Sequence, residues 1–333
     1  MSVETSALEK NRGVVPPAVK KLLTNAPLIA AVITVLLILV GQIISPGFGS
    51  YPQVVSMLRV ACFLGFIAIG QTIVILSGGD GIDLSVGKVA TFAAIIASKL
   101  MEGSNAGLVA GIVIPLLVGA AIGVVNGLGI LYLRIPPFVM TLGMMGVVHG
   151  LILAYTGGVA GGRSAPALTA LVNGKWILGI PGVLFLWIIA IVAVTYFLRR
   201  TSAGWNLYAV GANREAARLS GVPVTRTVLL AYCASGIFAA LGGIMLLGYT
   251  ETVFLNLADD YTLRSVAAVV IGGTLVAGGV GGYLGSAIGA VLLTVLGSFL
   301  TTVNMPESGR IIVNGLVLIV LLAAYGRQRR LRT

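Results

Sequence analysis

The stretch SGGDGIDLSVGK, residues 77–88, gathers residue types that chemistry uses: two carboxylates at Asp80 and Asp83, the amine of Lys88, and glycines that bare backbone N–H groups. A nucleotide loop needs glycine, four residues, then Gly-Lys followed by Ser or Thr. Counting back from Gly87 finds Ile82 where that glycine belongs, and Val89 follows Lys88, so the spacing and the last residue both fail. No metal site is expected, since the stretch lacks histidine and thiolate ligands. A catalytic acid pair is not expected either. Asp80 and Asp83 fall at the predicted inner end of a membrane span, where carboxylates reach water or cap a helix. Asp83 stands just before LSVGKVATF and is placed to accept from the free N–H groups of that helix start. Two readings remain: a structural turn closed by that cap, and a gating turn built from Gly78, Gly79 and Asp83 together with Gly278 and Gly279.

The elements that position this stretch are membrane spans. Of 333 residues, 58% are hydrophobic and only 9% charged, against about 25% charged in a soluble domain. The mean hydropathy is +1.06. A soluble fold of this length has no place for so much apolar surface, so lipid must be its solvent. Runs of about 20 apolar residues, the length that crosses the hydrocarbon core, fall near 26–44, 54–76, 84–100, 108–131, 137–155, 181–198, 227–249, 265–279, 283–303 and 310–325. The expected fold is therefore an all-α integral membrane protein of about ten transmembrane helices. The third and eighth runs are short and flanked by glycine. Residues 1–25 read as a polar tail leading into a retained first span, residues 26–325 as the transmembrane domain, and 326–333 as a basic tail. Cys62 and Cys233 lie inside apolar runs and read as packing residues without a disulfide.

The formal charge of +11 would suggest nucleic acid in a soluble chain; here its distribution is the informative part. With the N-terminus inside, one side collects the tail cations together with Lys88, Arg134, Arg199, Arg200, Arg214, Arg218 and Arg226. The other collects Lys99, Arg163, Lys175, Arg264 and Arg310. This positive-inside bias places both termini in the cytoplasm and removes the need for a nucleic-acid partner. Residues 66–98 also resemble 266–298: Gly78, Gly79, Gly81 and Leu84 return as Gly278, Gly279, Gly281 and Leu284, and VNGL at 125–128 returns at 313–316. Spans 2–4 thus read as an internal same-orientation repeat of spans 8–10, with a transport pathway expected near the repeat interface.

The longest inner polar segment, 199–226, contains NREAARLSG: a capping Asn213, the helix formers Arg214, Glu215, Ala216, Ala217, Arg218 and Leu219, and a glycine stop. It predicts an exposed helix of about two turns. Candidates for lining a pathway are the polar residues inside spans, Gln71, Asn126, Thr141 and Asn314, with Phe138 and Met140 as walls; helix–helix hydrogen bonding is the competing role for each. His149, the only histidine, has no acid near it in sequence and reads as packing. The outer segments 156–180, with Arg163, Lys175 and Trp176, and 250–263, with Glu251, Asp259 and Asp260, are candidate contacts for a delivery protein or plain connections.

GGDGIDLSVG resembles the Gly-Gly-Ile-Asp-Leu-Ser-Val-Gly signature of permease subunits of bacterial ATP-binding cassette importers for monosaccharides, the group serving ribose, xylose, galactose, galactofuranose, fructose and the autoinducer-2 signal. Asp80 and Gly81 stand where that family passes from Gly-Gly straight to Ile. YLRIPPFVMTLGMMGVVHGL (132–151) and GANREAARLSGVPV (211–224) are similar to further family segments, with Met140 separating Val139 from Thr141. The resemblance implies a non-enzymatic transport subunit of the bacterial inner membrane, surrounded by lipid. It binds no cofactor of its own, since ATP and Mg belong to a partner ATPase subunit. It also implies a periplasmic substrate-binding protein and a second permease chain, identical or related. The 213–219 helix would then dock on the ATPase, with Arg214, Glu215 and Arg218 presenting charge and Ala216, Ala217 and Leu219 a small apolar face. Related permeases for branched-chain amino acids or nucleosides, an ion-coupled secondary transporter, and a non-transporting scaffold are the rivals. An ion-coupled carrier would need acids within the membrane, whereas nearly all acids here are predicted in tails, loops or span ends.

Overall fold

The computed structural model describes residues 25–313 together with 315, 316 and 319. Its regular structure is helical, and the extended pairing among these residues is limited to the isolated bridges Arg163–Thr252 and Lys175–Pro181. The helices are α1 (Ala26–Ile44), α2 (Tyr51–Leu76), α3 (Val86–Met101), α4 (Leu108–Leu131), α5 (Pro137–Thr156), α6 (Pro166–Asn173), α7 (Gly182–Arg200), α8 (Ser202–Ala212), α9 (Arg214–Leu219), α10 (Val224–Thr250), α11 (Tyr261–Ile271) and α12 (Tyr283–Thr302). Residues 307–313 are helical again. Seven of these helices, α1, α2, α4, α5, α7, α10 and α12, are long and apolar enough to cross a membrane. The tenth expected span, 310–325, lies mostly outside the described residues, as do Asn314, residues 1–24 of the polar tail and the basic tail.

Helix α2 is the axis of the bundle. Every residue from Ala61 to Leu76 is buried, which suits a helix that is apolar all round. Around it pack α10, α12, α11 and α7, while α1, α4 and α5 leave broad apolar faces exposed, such as Val35, Leu39, Val109, Leu117 and Val147. In lipid such faces need no covering. Helices α4 and α10 approach almost backbone to backbone: a Cβ on Gly119 or Gly236 would strike the other helix's backbone carbonyl.

Two helices are short. α3 has 16 residues and α11 has 11, about 24 and 16 Å at 1.5 Å per residue, below the roughly 30 Å of a hydrocarbon core. Each follows an irregular segment, 77–85 before α3 and 251–260 before α11, and the two helix starts meet. The Lys88 amine lies 2.7 Å from the Asp259 carboxylate, and the Thr91 hydroxyl accepts from the Ala258 N–H at 3.0 Å. The sequence places Lys88 on the inner side and Asp259 in an outer connection. Their pairing corrects this: both segments turn into the protein, where non-helical backbone is tolerated because protein rather than lipid surrounds it. The eighth span also differs from its expected 265–279. Helix α11 stops at Ile271, because Gly273, Gly278, Gly279 and Gly281 all adopt positive φ and cannot continue an α-helix.

Candidate functional site

The chain breaks twice in the same manner. After α2, Gly78 and Gly79 take φ of +68° and +64°; after α11, Gly278 and Gly279 take +91° and +71°. In each break a glycine N–H returns to the carbonyl three residues back, Gly78 to Ile75 at 3.1 Å and Gly278 to Leu275 at 2.9 Å. The breaks touch. The Gly279 N–H donates to the Leu76 carbonyl at 3.1 Å, and a Cβ on Gly278 would lie 2.7 Å from the Gly78 nitrogen. Gly211, from the last turn of α8, closes the contact from a third side: a Cβ on Gly78 would meet the Gly211 carbonyl oxygen at 2.7 Å. Three backbones cross here at van der Waals distance, and only glycine leaves the room.

Beyond Gly78 the first break descends to a buried carboxylate. Asp83 is 1% exposed and accepts three hydrogen bonds, from the Ser85 N–H (2.9 Å), the Ser85 hydroxyl (2.6 Å) and the Ser235 hydroxyl (2.7 Å). The expected Asp83 role in capping is retained only in this short Ser85 turn, because α3 itself begins at Val86 with no side-chain cap. The expected access of Asp83 to water is overturned. Ser235 lies about three turns into α10, roughly 16 Å from its start, and takes the carboxylate deep into the bundle. Asp80, one turn earlier, is exposed.

Two predicted pathway residues join this network. The Asn126 amide donates to the Ser85 hydroxyl at 3.1 Å, and the Thr141 hydroxyl donates to the Ile82 carbonyl at 3.1 Å. Both are fully buried, and their observed bonds run from a helix to the irregular segment, tying α4 and α5 to the first break. Gln71 is also buried, with neither amide atom bonded within the protein, and it is not linked to Asp83. Phe138 projects from α5 with 54% exposure, and Met140 lies half-buried over Gly129. His149 is half-buried and its Nδ1 has no partner. Among the described residues no cluster of His, Cys, Asp and Glu suits a metal ion.

The 199–226 segment forms two helices where one was expected. Thr201 caps α8, and Asn213 caps α9 by accepting from the N–H groups of Glu215 and Ala216, both at 3.0 Å. Gly221, with φ +80°, ends it. On α9 the residues divide. Glu215 and Arg218 pair at 2.7 Å on the exposed side, and Leu219 is 79% exposed. Ala217 is buried against Val74, Val210 and Val228 rather than forming part of an exposed apolar face. Arg214 turns inward, contrary to its expected outward charge: its guanidinium donates to the Gly78 carbonyl at 3.0 Å and rests against Gly79. Cys62 and Cys233 are free, as expected.

Several site residues escape sequence reasoning. Ser85 and Gly211 stand within the quoted segments GGDGIDLSVG and GANREAARLSGVPV, which gave neither residue a role, and Ser235 shows in the sequence only as a small polar residue within an apolar run. Tyr208, beside them in the α8 helix, donates to the Gly281 carbonyl at 2.9 Å and steadies the second break. Burial pushes its phenol above the ordinary value, with Arg199 opposing, so it remains a donor.

Known proteins place this architecture. A family model described as the permease component of the branched-chain amino acid transport system matches residues 53–322. The ribose import permease of Bacillus subtilis is 33% identical over 86% of this chain and 88% of its own. The galactose/methyl galactoside import permease of Escherichia coli is 33% identical over 87% and 91%. An autoinducer 2 import system permease of Photorhabdus laumondii is 33% identical over 79% of each chain. No solved structure matches. With a family match over most of its length and relatives at this identity, the chain belongs to the family of branched-chain amino acid transport system permease components.

Proposed function

We propose that this chain is the transmembrane permease subunit of an ATP-driven importer that brings a monosaccharide, or a similar small polar solute, into a bacterial cytoplasm. The observation that carries this reading is the 33% identity to a ribose import permease along 86% of the chain. Relatives at comparable identity include ones with ribose, galactose and autoinducer-2 names, which favours that solute class over the amino acids in the family's description. The sequence argument against ion coupling weakens, since Asp83 lies buried inside the bundle and Lys88 pairs with a half-exposed Asp259. The ribose, galactose and autoinducer-2 relatives, named as permeases of import systems, carry the argument against ion coupling instead.

In this reading ten spans form, with α3 and α11 as shortened members and the helix beginning at 307 as the last. Both termini then lie in the cytoplasm. The matched glycine breaks support a duplicated unit of three spans. Glu215, Arg218 and Leu219, the exposed face of α9, dock on an ATPase subunit that holds ATP and Mg; the chain itself holds neither and catalyses nothing. A second permease chain completes the pore, lipid covers the remaining apolar faces, and a periplasmic binding protein delivers the solute. Phe138, exposed on α5, is the strongest wall candidate among the expected pathway residues. Asn126 and Thr141 support that wall from behind.

The test is reconstitution in liposomes with the cognate ATPase and binding protein, followed by uptake of labelled ribose, galactose and leucine. ATP-dependent sugar uptake is expected. Uptake of leucine alone would shift the solute class, and a folded chain that recruits no ATPase and transports nothing would sink the proposal.

A further inference from the structure

We propose that Arg214 is a positioning residue: the joint through which movement of α9 reaches both glycine breaks and the buried Asp83 network. The inference rests on the proposed function, in which α9 meets the ATPase. An exposed docking helix transmits nothing unless some rigid contact links it to the parts that move. Three features identify that contact. Arg214 is the first residue of α9, yet its side chain leaves the helix and donates to the carbonyl of Gly78, within the first break and two residues past the end of α2. A cation at a helix start works against the helix dipole, so local helix stability does not explain its presence there. Its neighbour Gly211 fills the crossing of the two breaks, where Leu76, Gly78 and Gly279 leave no room for a methyl group. Residues 211–214 therefore grip both breaks at once, through backbone at Gly211 and through the guanidinium at Gly78 and Gly79.

Inside that grip the load passes inward. Tyr232, on α10, is 1% exposed and belongs to the packed cluster that holds Val74 of α2, Val210 of α8 and Ala217 of α9. Its hydroxyl and the Arg214 Nε are buried without a partner. Buried polar atoms are ordinarily paired, so an unpaired one gains from a rearrangement that supplies a partner. A small displacement of α9 would let these groups re-pair, and a bonded network with two arrangements is what carries coupling between distant sites. Beyond Tyr232, Asp83 connects through Ser85 and Ser235 to α3, α4 and α10. Arg218, paired with Glu215 at the exposed surface, has none of these links.

The experiment compares wild type, Arg214→Ala, Arg214→Lys and Arg218→Ala in liposomes with the ATPase and binding protein, reading solute imported per ATP hydrolysed. Arg214→Ala is expected to lower that ratio at least about fivefold, the lower end of ordinary coupling between sites. Arg214→Lys, which keeps a charged donor, is expected to recover part of it. Arg218→Ala, on the exposed docking face, is expected to weaken association with the ATPase so that less complex assembles. A merely structural role would lower transport and hydrolysis together and leave the ratio unchanged. Hydrogen exchange on the wild-type complex gives a second reading that needs no variant. Trapping the nucleotide state should change protection at the amides of Gly78, Gly81 and Gly279. An Arg214→Ala complex with the wild-type ratio, or a wild-type complex whose break amides ignore the nucleotide, overturns the proposal. A wild-type chain that recruits no ATPase overturns the proposed function, and this inference with it.

Discussion

The two glycine breaks have nearly the same backbone and very different chemistry. Both leave a helix through a left-handed glycine pair, and each touches the other and Gly211. The first, 77–85, is anchored by a carboxylate with three donors and is linked by side-chain bonds to α4, α5, α9 and α10. The second, 272–282, holds no ionisable group. Its ties are neutral: the Gly282 N–H to the Thr274 hydroxyl at 3.3 Å and Tyr208 to Gly281. The lesson is that glycine sets the shape of a break while polar side chains set its stiffness and its connections. A buried charge bonded to one fixed set of donors is costly to move, since each orphaned group forfeits its solvation. A neutral bond or two is not.

The contrast predicts unequal consequences for parallel changes. Asp83→Ala strips the only acceptor from two hydroxyls and a backbone N–H at once, each unsatisfied group costing about 1–3 kcal/mol. We expect the largest loss of the series, read as a lowered midpoint of thermal unfolding in detergent. Thr274→Val in the second break should cost about 1 kcal/mol by the same measure; equal losses would erase the distinction between the breaks. Gly211→Ala strikes both breaks, because its methyl group meets backbone on each side. Overpacking of this kind costs about 1–3 kcal/mol, and the exchange rates of both breaks should rise together. A rise confined to one break would show that the crossing is not shared.

Tyr208→Phe removes one neutral bond from the second break, about 0.5–1.5 kcal/mol. It also carries a pH signature. Burial raises the Tyr208 phenol, so its contribution is complete below the ordinary phenol value of about 10 and is lost as pH rises through the raised value. The Phe variant should lose less stability than wild type over that alkaline range, and equal losses would place the titration elsewhere. Smallest of all, Arg218→Ala breaks an exposed pair worth about 0–1 kcal/mol. The unfolding midpoint should hardly move, while the amount of ATPase recovered with the chain should fall. A large stability loss there would mean that α9 is braced through both arginines.

How far the sequence reached follows from the range of each interaction. Hydropathy and glycine placement are local, and they were enough for the helical membrane class, for most span positions and for the Asn213-capped helix with its glycine stop. The matched glycines at 78–79 and 278–279 were also legible, since positive φ leaves few alternatives to glycine. The depth of an irregular segment was not. Asp83 and Lys88 look like residues of a water-facing turn, and Asp259 like part of an outer loop, because charge near the end of an apolar run ordinarily means the surface. The burial of Asp83 and Lys88 depends on partners 152 and 171 residues distant, Ser235 for Asp83 and a half-exposed Asp259 for Lys88. The inward turn of Arg214 likewise depends on Gly78, 136 residues earlier in the chain.

The sequence by itself determined that this chain lives in a membrane, breaks two of its helices at matched glycines and offers a short capped helix outside the bundle. Composition, periodicity and backbone permissiveness act within a few residues, and each can be read where it stands. Only the tertiary structure decided that the two breaks cross at Gly211, that a carboxylate lies beneath one of them, and that Arg214 binds the crossing to α9. Those outcomes are contacts between distant segments, and burial satisfies a charge only when the whole bundle has brought its donors to it.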